Sequence, residues 1–172
     1  MKDIQKSEER KVPIVPAVEQ ASRVLICLAG SGSAKMSLTE ICNAVGIHKS
    51  KGYSILTTLG KFGFVERDER DKRYSLGPGL VSLSRRFLDN VDVKNSVEPF
   101  LRNLADKTHC TTLYCLISDW HVFVVAKHEG DKNIGITIRV GHRFSITHGA
   151  HGKAIAAFLP EEERERLLGG KK

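Results

Sequence analysis

The sequence predicts an α+β chain in two parts. The first part holds three helices closed by a β-hairpin, and the second mixes helices and strands. Three observations predict this. Before residue 62, apolar residues recur three times at helical spacing. After Gly63, two short alternating runs flank the charged turn "DERDK". From Thr111 the spacing changes, and runs of Val, Ile, Thr and aromatics take over.

Residues 1–15 read as a flexible polar arm. In "AVEQASRVLICLAG", Val18, Ala21, Leu25 and Leu28 mark one helical face, and Gly30 ends it. Ser37 and Glu40 have the spacing of a capping box and start a second helix that faces inward through Leu38, Ile41 and Val45. Gly46 supplies the turn. A third helix starts near His48 and buries Ile55, Leu56 and Leu59. The runs "FVER" and "RYSL" form a hairpin. Helix, helix, turn, helix and hairpin make a winged helix-turn-helix over residues 16–76.

The third helix contains no acid from Lys49 to Lys61. It carries Lys49, Ser50, Lys51, Tyr53 and Ser54 on its first turns, and the first turns of such a helix reach base edges in the major groove. Helix N-terminal N–H groups also suit a phosphate. For Tyr53 a place in the core is the alternative. The hairpin tip offers Arg67, Arg70, Lys72 and Arg73 to the neighbouring backbone. Its alternative is a solvated turn, because Asp68, Glu69 and Asp71 dilute the charge.

Gly77-Pro78-Gly79 marks a boundary. Residues 77–91 read as a linker helix with an apolar stripe at Leu80, Leu83, Phe87, Leu88 and Val91. Such a stripe needs a cover, from its own domain or from a second copy of the chain. Residues 92–172 form the second part. It opens with a helix through Val97, Phe100, Leu101 and Leu104, which Pro99 kinks or starts. Strands follow over "TTLYCLISD", "WHVFVVAKHEG" and "IGITIRVG". A helix covers "HGAHGKAIAAFL", and Pro160 starts a last segment.

Composition limits the function classes. Net charge is +7 and the isoelectric point is near 9.3, which favours a polyanionic partner. No apolar run approaches the ~20 residues of a membrane span, and "MKDIQKSEERK" lacks the apolar stretch of a secretory signal. A cytoplasmic location is expected, with no membrane partner. Four cysteines are scattered without a CxxC pair. Cys27 and Cys42 read as buried thiols, and Cys110 and Cys115 as flanking a strand. His148, His151 and Cys110 lack the paired spacing of a metal site. His109-Cys110 is no more than a sequence neighbourhood, so neither catalysis nor a cofactor is expected.

The segment "SLTEICNAVGIHKSKGYSILTTLGKFGFVER…RYSLGPGL" and the later "VGHRF…AHGKAIAAFLPEEE" resemble the IclR family of bacterial transcriptional regulators. The resemblance runs from about Val15 to Leu168. Its markers are Lys49 with Ser50, Leu59 with Gly63, Tyr74 with Leu76 and Gly77, and the element Gly152-Lys153-Ala154. It implies a dimer or tetramer held through Leu83, Phe87 and Leu88, operator DNA as partner, and a GAF-like effector domain for a small organic acid. It places effector contacts at Gly135, Ile136, His148, Gly149 and Ala150.

This chain departs from the family pattern in two ways. Members often carry Thr and Arg where Gly52 and Ser54 stand. Gly52 costs about 1 kcal/mol of helix propensity against Ala, and Ser54 removes a contact. The family's effector domain also runs further, whereas this sequence stops at "LLGGKK". A truncated effector domain is expected, with an open sheet edge after Ile134–Val140 and an incomplete pocket. The competing readings are a winged helix that binds protein and a DNA-binding fragment that ignores ligand.

Overall fold

The computed structural model describes residues 13–31, 33–118, 120–130, 137–147 and 149–169. The arm expected at residues 1–15 lies outside them except for 13–15. The chain divides into two compact units between Ser84 and Arg85, inside the expected linker helix.

In the first unit, α1 (Pro16–Gly30) opens with proline in its first turn, where a missing N–H costs nothing. Its inward face is Ala21, Val24, Leu25 and Leu28. Ala21, Leu25 and Leu28 of the expected stripe meet the core, Val24 joins them, and Val18 does not. Val24 is fully buried, whereas Val18 is 63% exposed. The i, i+3, i+4, i+7 set that meets the core starts at Ala21, and Val18 lies one turn too early.

Helix α2 (Leu38–Val45) has the expected capping box. The Ser37 amide donates to Glu40 Oε2 at 2.6 Å and the Glu40 amide donates to Ser37 Oγ at 3.3 Å. Gly46 ends the helix at φ +75°, a left-handed turn that glycine adopts without strain. Helix α3 (Lys49–Lys61) buries Gly52, Leu56 and Leu59, and Ile55 is half-buried.

Strands β1 (Val65–Arg67) and β2 (Tyr74–Leu76) pair antiparallel, with Glu66 opposite Ser75. Met36, just before α2, adds a bridge to Tyr74. Val24, Leu28, Ile41, Leu56, Leu59, Val65 and Tyr74 form one core.

Helix α4 (Gly79–Val91) has no buried residue. Leu83 is 57% and Phe87 50% exposed, Val81 is exposed as well, and Leu88 is half-buried.

In the second unit the end of α4 is followed by a π-helical turn (Val93–Val97) that leads into α5 (Glu98–Thr108). Pro99 sits in the first turn of α5, as expected. The helix buries Leu101 and Ala105, not Phe100 and Leu104, which are exposed. Thr112 Oγ1 donates to the Leu101 carbonyl at 2.9 Å and ties α5 to the sheet.

The sheet order is β3 (Thr112–Ser118), β4 (His121–His128), β5 (Arg143–Ser145), all antiparallel. Among the described residues the third strand is Arg143–Ser145, later than the run expected. Thr137–Val140 form no strand, and Ile134–Ile136 lie outside the described residues. Gly141 turns at φ +86°, its N–H donates to the Val124 carbonyl, and β5 follows that turn. Over Thr137–Val140 the β propensity of "TIRV" loses to the register that this turn sets. Cys115 stands mid-strand beside a bulge after Tyr114, not at the strand's flank.

Helices α6 (Gly149–Phe158) and α7 (Glu161–Gly169) are split at Pro160, as expected. Ile155 and Leu159 pack on the buried pair Val122 and Ile146. Gly152, in the "GKA" element, is buried. A Cβ there would stand 2.2 Å from the Ile146 carbonyl oxygen, so only glycine fits.

Candidate nucleic-acid interface

Helix α3 presents two different sides. Leu56 and Leu59 face the core, while Lys49, Ser50, Lys51, Tyr53, Ser54, Thr57, Thr58 and Lys61 are exposed. Tyr53 is 50% exposed, so the core alternative for it is set aside. Ser54 Oγ donates to the Ser50 carbonyl at 3.1 Å, and its lone pairs stay available.

Gly52 is the point of contact with α2. A Cβ there would lie 2.3 Å from Cys42 Sγ, with Leu38 and Ile47 methyls at 3.5 and 3.6 Å. The glycine read as a cost to helix propensity therefore spares the Cys42 thiol a close contact. Burial also pushes the Cys42 thiol above its ordinary pKa, so it behaves as an inert apolar group.

The hairpin tip, residues 68–73, is a web of internal pairs. Lys35, in the loop before α2, bonds Asp68 and reaches Asp71 at 3.6 Å. Lys72 bonds Glu69 at 2.6 Å. Arg73 NH1 lies 3.2 Å from Glu40 Oε2 and donates to the Lys35 carbonyl at 3.1 Å. Arg67 stacks over the Tyr74 ring at 5.6 Å. Arg70 is exposed, and its backbone N–H donates to Asp68.

These bonds hold the carboxylates in their charged form. The Lys35 hydrogen bond depresses Asp68, and the Lys72 hydrogen bond depresses Glu69. Glu40 is lowered first by the Ser37 amide and then by Arg73. Sequence reading missed Lys35. Its partners lie 33 residues away, at Asp68, and beyond any local pattern.

In the second unit a cavity of about 430 Å³ lies between β3 and α6. Its described lining is Leu113, Tyr114, Cys115, Ile117, Ile138, Phe144, His151 and Ile155. Phe144 and His151 meet edge to face at 4.0 Å. Of the expected effector residues, Gly149 and Ala150 stand exposed at the start of α6, Gly149 at φ +68°. Gly135, Ile136 and His148 lie outside the described residues. The β-prone residues of β3 were legible as a strand, but their cavity-lining role was not.

Two family models match. The IclR helix-turn-helix domain matches residues 17–69, and the bacterial transcriptional regulator IclR C-terminal domain matches residues 85–172. The chain belongs to the IclR family. It is 28% identical to the HTH-type transcriptional regulator XynR of Escherichia coli (strain K12), over 92% of this chain and 63% of that protein. It is 28% identical to the glycerol operon regulatory protein of Streptomyces griseus, over 90% of this chain and 61% of that one. An IclR-family crystal structure from Alicyclobacillus acidocaldarius superposes with a TM-score of 0.75 at 30% identity, covering 91% of this chain and 64% of that one. The chain thus spans a little over three fifths of the length of these relatives. All three are regulators by name, a class without catalytic chemistry.

Proposed function

We propose that the chain is a dimeric regulator whose first unit binds double-stranded operator DNA sequence-specifically. One observation carries the reading: α3 exposes an acid-free face bearing Lys49, Ser50, Lys51, Tyr53 and Ser54. Side chains on the first turns of such a helix reach base edges, and its lysines reach phosphates. Arg70 and Lys72 at the wing tip would lie along the adjacent backbone. Two copies joined through Leu83, Phe87 and Leu88 would present two recognition helices about 34 Å apart, one turn of DNA. A cytoplasmic location belongs with this reading. Among the described residues no helix is long and apolar enough to cross a membrane.

The test is a salt titration of DNA binding. Lys49→Ala and Lys51→Ala each weaken binding to every sequence. Each lowers the slope of log affinity against log salt by about one unit per bound chain, because one phosphate contact is gone. Ser54→Arg strengthens binding by adding a contact. Unchanged slopes in both lysine variants would remove α3 from the DNA and favour a protein partner for the winged helix.

The family resemblance points to a small organic acid as ligand of the second unit, with the cavity beside α6 as its place, and such a ligand would bias the spacing of the two recognition helices. None of the cavity's described lining residues is Lys or Arg, so weak binding is the expected result. An acid at its own dissociation constant stabilises by only about 0.4 kcal/mol. Thermal unfolding with a panel of small carboxylic acids checks this. A saturable rise of several degrees with any one of them would show a working acid pocket.

A further inference from the structure

We propose that Lys35, together with Glu40 and Arg73, forms a clasp that fixes the wing against the recognition helix, so that Lys35 and Arg73 act on DNA binding as positioning residues. The proposal rests on the DNA reading of α3 and goes beyond it by assigning a role to residues outside the recognition helix.

The wing needs such a device. Its two strands are three residues each, and an isolated two-stranded hairpin of that size is marginal in water. Val65 and Tyr74 anchor the strands in the core, but no residue of the turn 68–73 is buried, so the position of the tip must come from elsewhere. The short segment from Lys35 to Glu40 supplies it at the turn end of the hairpin, where Tyr74 faces Arg67.

Where the strands meet the turn, Met36 and Tyr74 exchange backbone hydrogen bonds of 2.9 and 2.7 Å. At the tip, Lys35 Nζ holds Asp68 and Asp71. Between them, the Arg73 guanidinium spans Glu40 Oε1 and Oε2, at 3.3 and 3.2 Å, and the Lys35 carbonyl. Glu40 also closes the capping box of α2, and α2 meets α3 at the Cys42–Gly52 contact. A continuous chain of contacts therefore runs from wing tip to recognition helix. Arg73 is committed to that chain, which takes it out of the set of phosphate ligands.

Charge gives the clasp a second effect. Asp68 and Asp71 stand at the tip beside Arg70. With Lys35 in place their charges are locally balanced. Without it, two carboxylates would face whatever backbone Arg70 approaches, and like charges repel.

The experiment is a double-mutant cycle on the 172-residue chain, using a duplex enriched by the wild-type chain from a random-sequence pool. Lys35→Met weakens binding by about fivefold, the upper range for a surface ion-pair network. Arg70→Ala costs about as much on its own, yet less than twofold in the Lys35→Met background, because the wing is already displaced. Lys35→Arg keeps the charge and restores affinity.

In the free protein, Lys35→Met speeds amide exchange at Asp68 and Tyr74, whose N–H groups bond the Arg73 and Met36 carbonyls, and leaves α3 unchanged. Additive costs for Lys35→Met and Arg70→Ala would make Lys35 a direct phosphate ligand and overturn the clasp. So would unchanged exchange at the tip. Lys49→Ala in the same assay tests the DNA reading separately. If it leaves binding intact, that reading falls, and the exchange data still decide whether Lys35 holds the wing.

Discussion

Replacing Phe87 and Leu88 together by Asp leaves the chain monomeric at micromolar concentration. It also lowers affinity for a selected operator by about a hundredfold or more. Both effects start from the surface of α4. Its apolar residues Val81, Leu83 and Phe87 are exposed, Leu88 is only half-buried, and no residue of the helix is buried.

Fully burying one such side chain is worth about 1.5–3 kcal/mol. A pair of these helices, each contributing three or four, therefore gains enough to hold a dimer despite the cost of association. Two aspartates per copy would place four unpaired carboxylates in that interface, and a buried charge without a partner is strongly disfavoured.

The DNA effect follows from geometry. A dimer binds its second half-site intramolecularly, which raises avidity by about 10²–10⁴ over a single site. A monomer loses that factor on a two-part operator and loses much less on random DNA. Sedimentation gives the mass, and titrations on selected and random duplexes give the ratio. A wild-type chain that sediments as a monomer at micromolar concentration would sink the interface.

The parts of the fold legible in the sequence were those written in local spacing. Ser37 and Glu40 are three residues apart, and the capping box forms as read. The acid-free run from Lys49 to Lys61 became an exposed face. Pro99 lies in the first turn of α5, and Pro160 directly precedes α7. What stayed hidden was set by partners far along the chain. Val24 carries the core of α1 because of which face meets α2 and α3. Strand β5 lies after Gly141 because that turn fixes the pairing with β4. Arg73 reads in the sequence as one of the tip's charges, and its pairs with Glu40 and the Lys35 carbonyl were not legible. The charge of the tip was visible, and its internal pairing was not.

Gly52→Ala shows the same long-range dependence and should be the most costly small change in the recognition helix. Alanine favours a helix by about 1 kcal/mol over glycine, so local propensity predicts a gain. Packing predicts the opposite. The new Cβ would stand 2.3 Å from Cys42 Sγ, far inside van der Waals contact. Either α3 moves from α2 or the thiol leaves its rotamer in a core where Cys42 is 2% exposed. Overpacking of this kind costs about 1–3 kcal/mol, which outweighs the propensity gain. DNA affinity falls as well, since α3 carries the contact face. Removing the sulfur should reverse the sign. With Cys42→Ala present, the remaining neighbours of the new Cβ are the Leu38 and Ile47 methyls at 3.5 and 3.6 Å, ordinary contacts. The double variant then recovers stability and keeps the helical gain, so the two substitutions couple favourably. Amide exchange on α3 reads the first unit directly. Fluorescence of the single tryptophan, Trp120 in the second unit, serves as the control that should not move. If Gly52→Ala alone raised protection in α3, the thiol would be free to step aside, and the close approach of α2 and α3 would not be what requires glycine at this position.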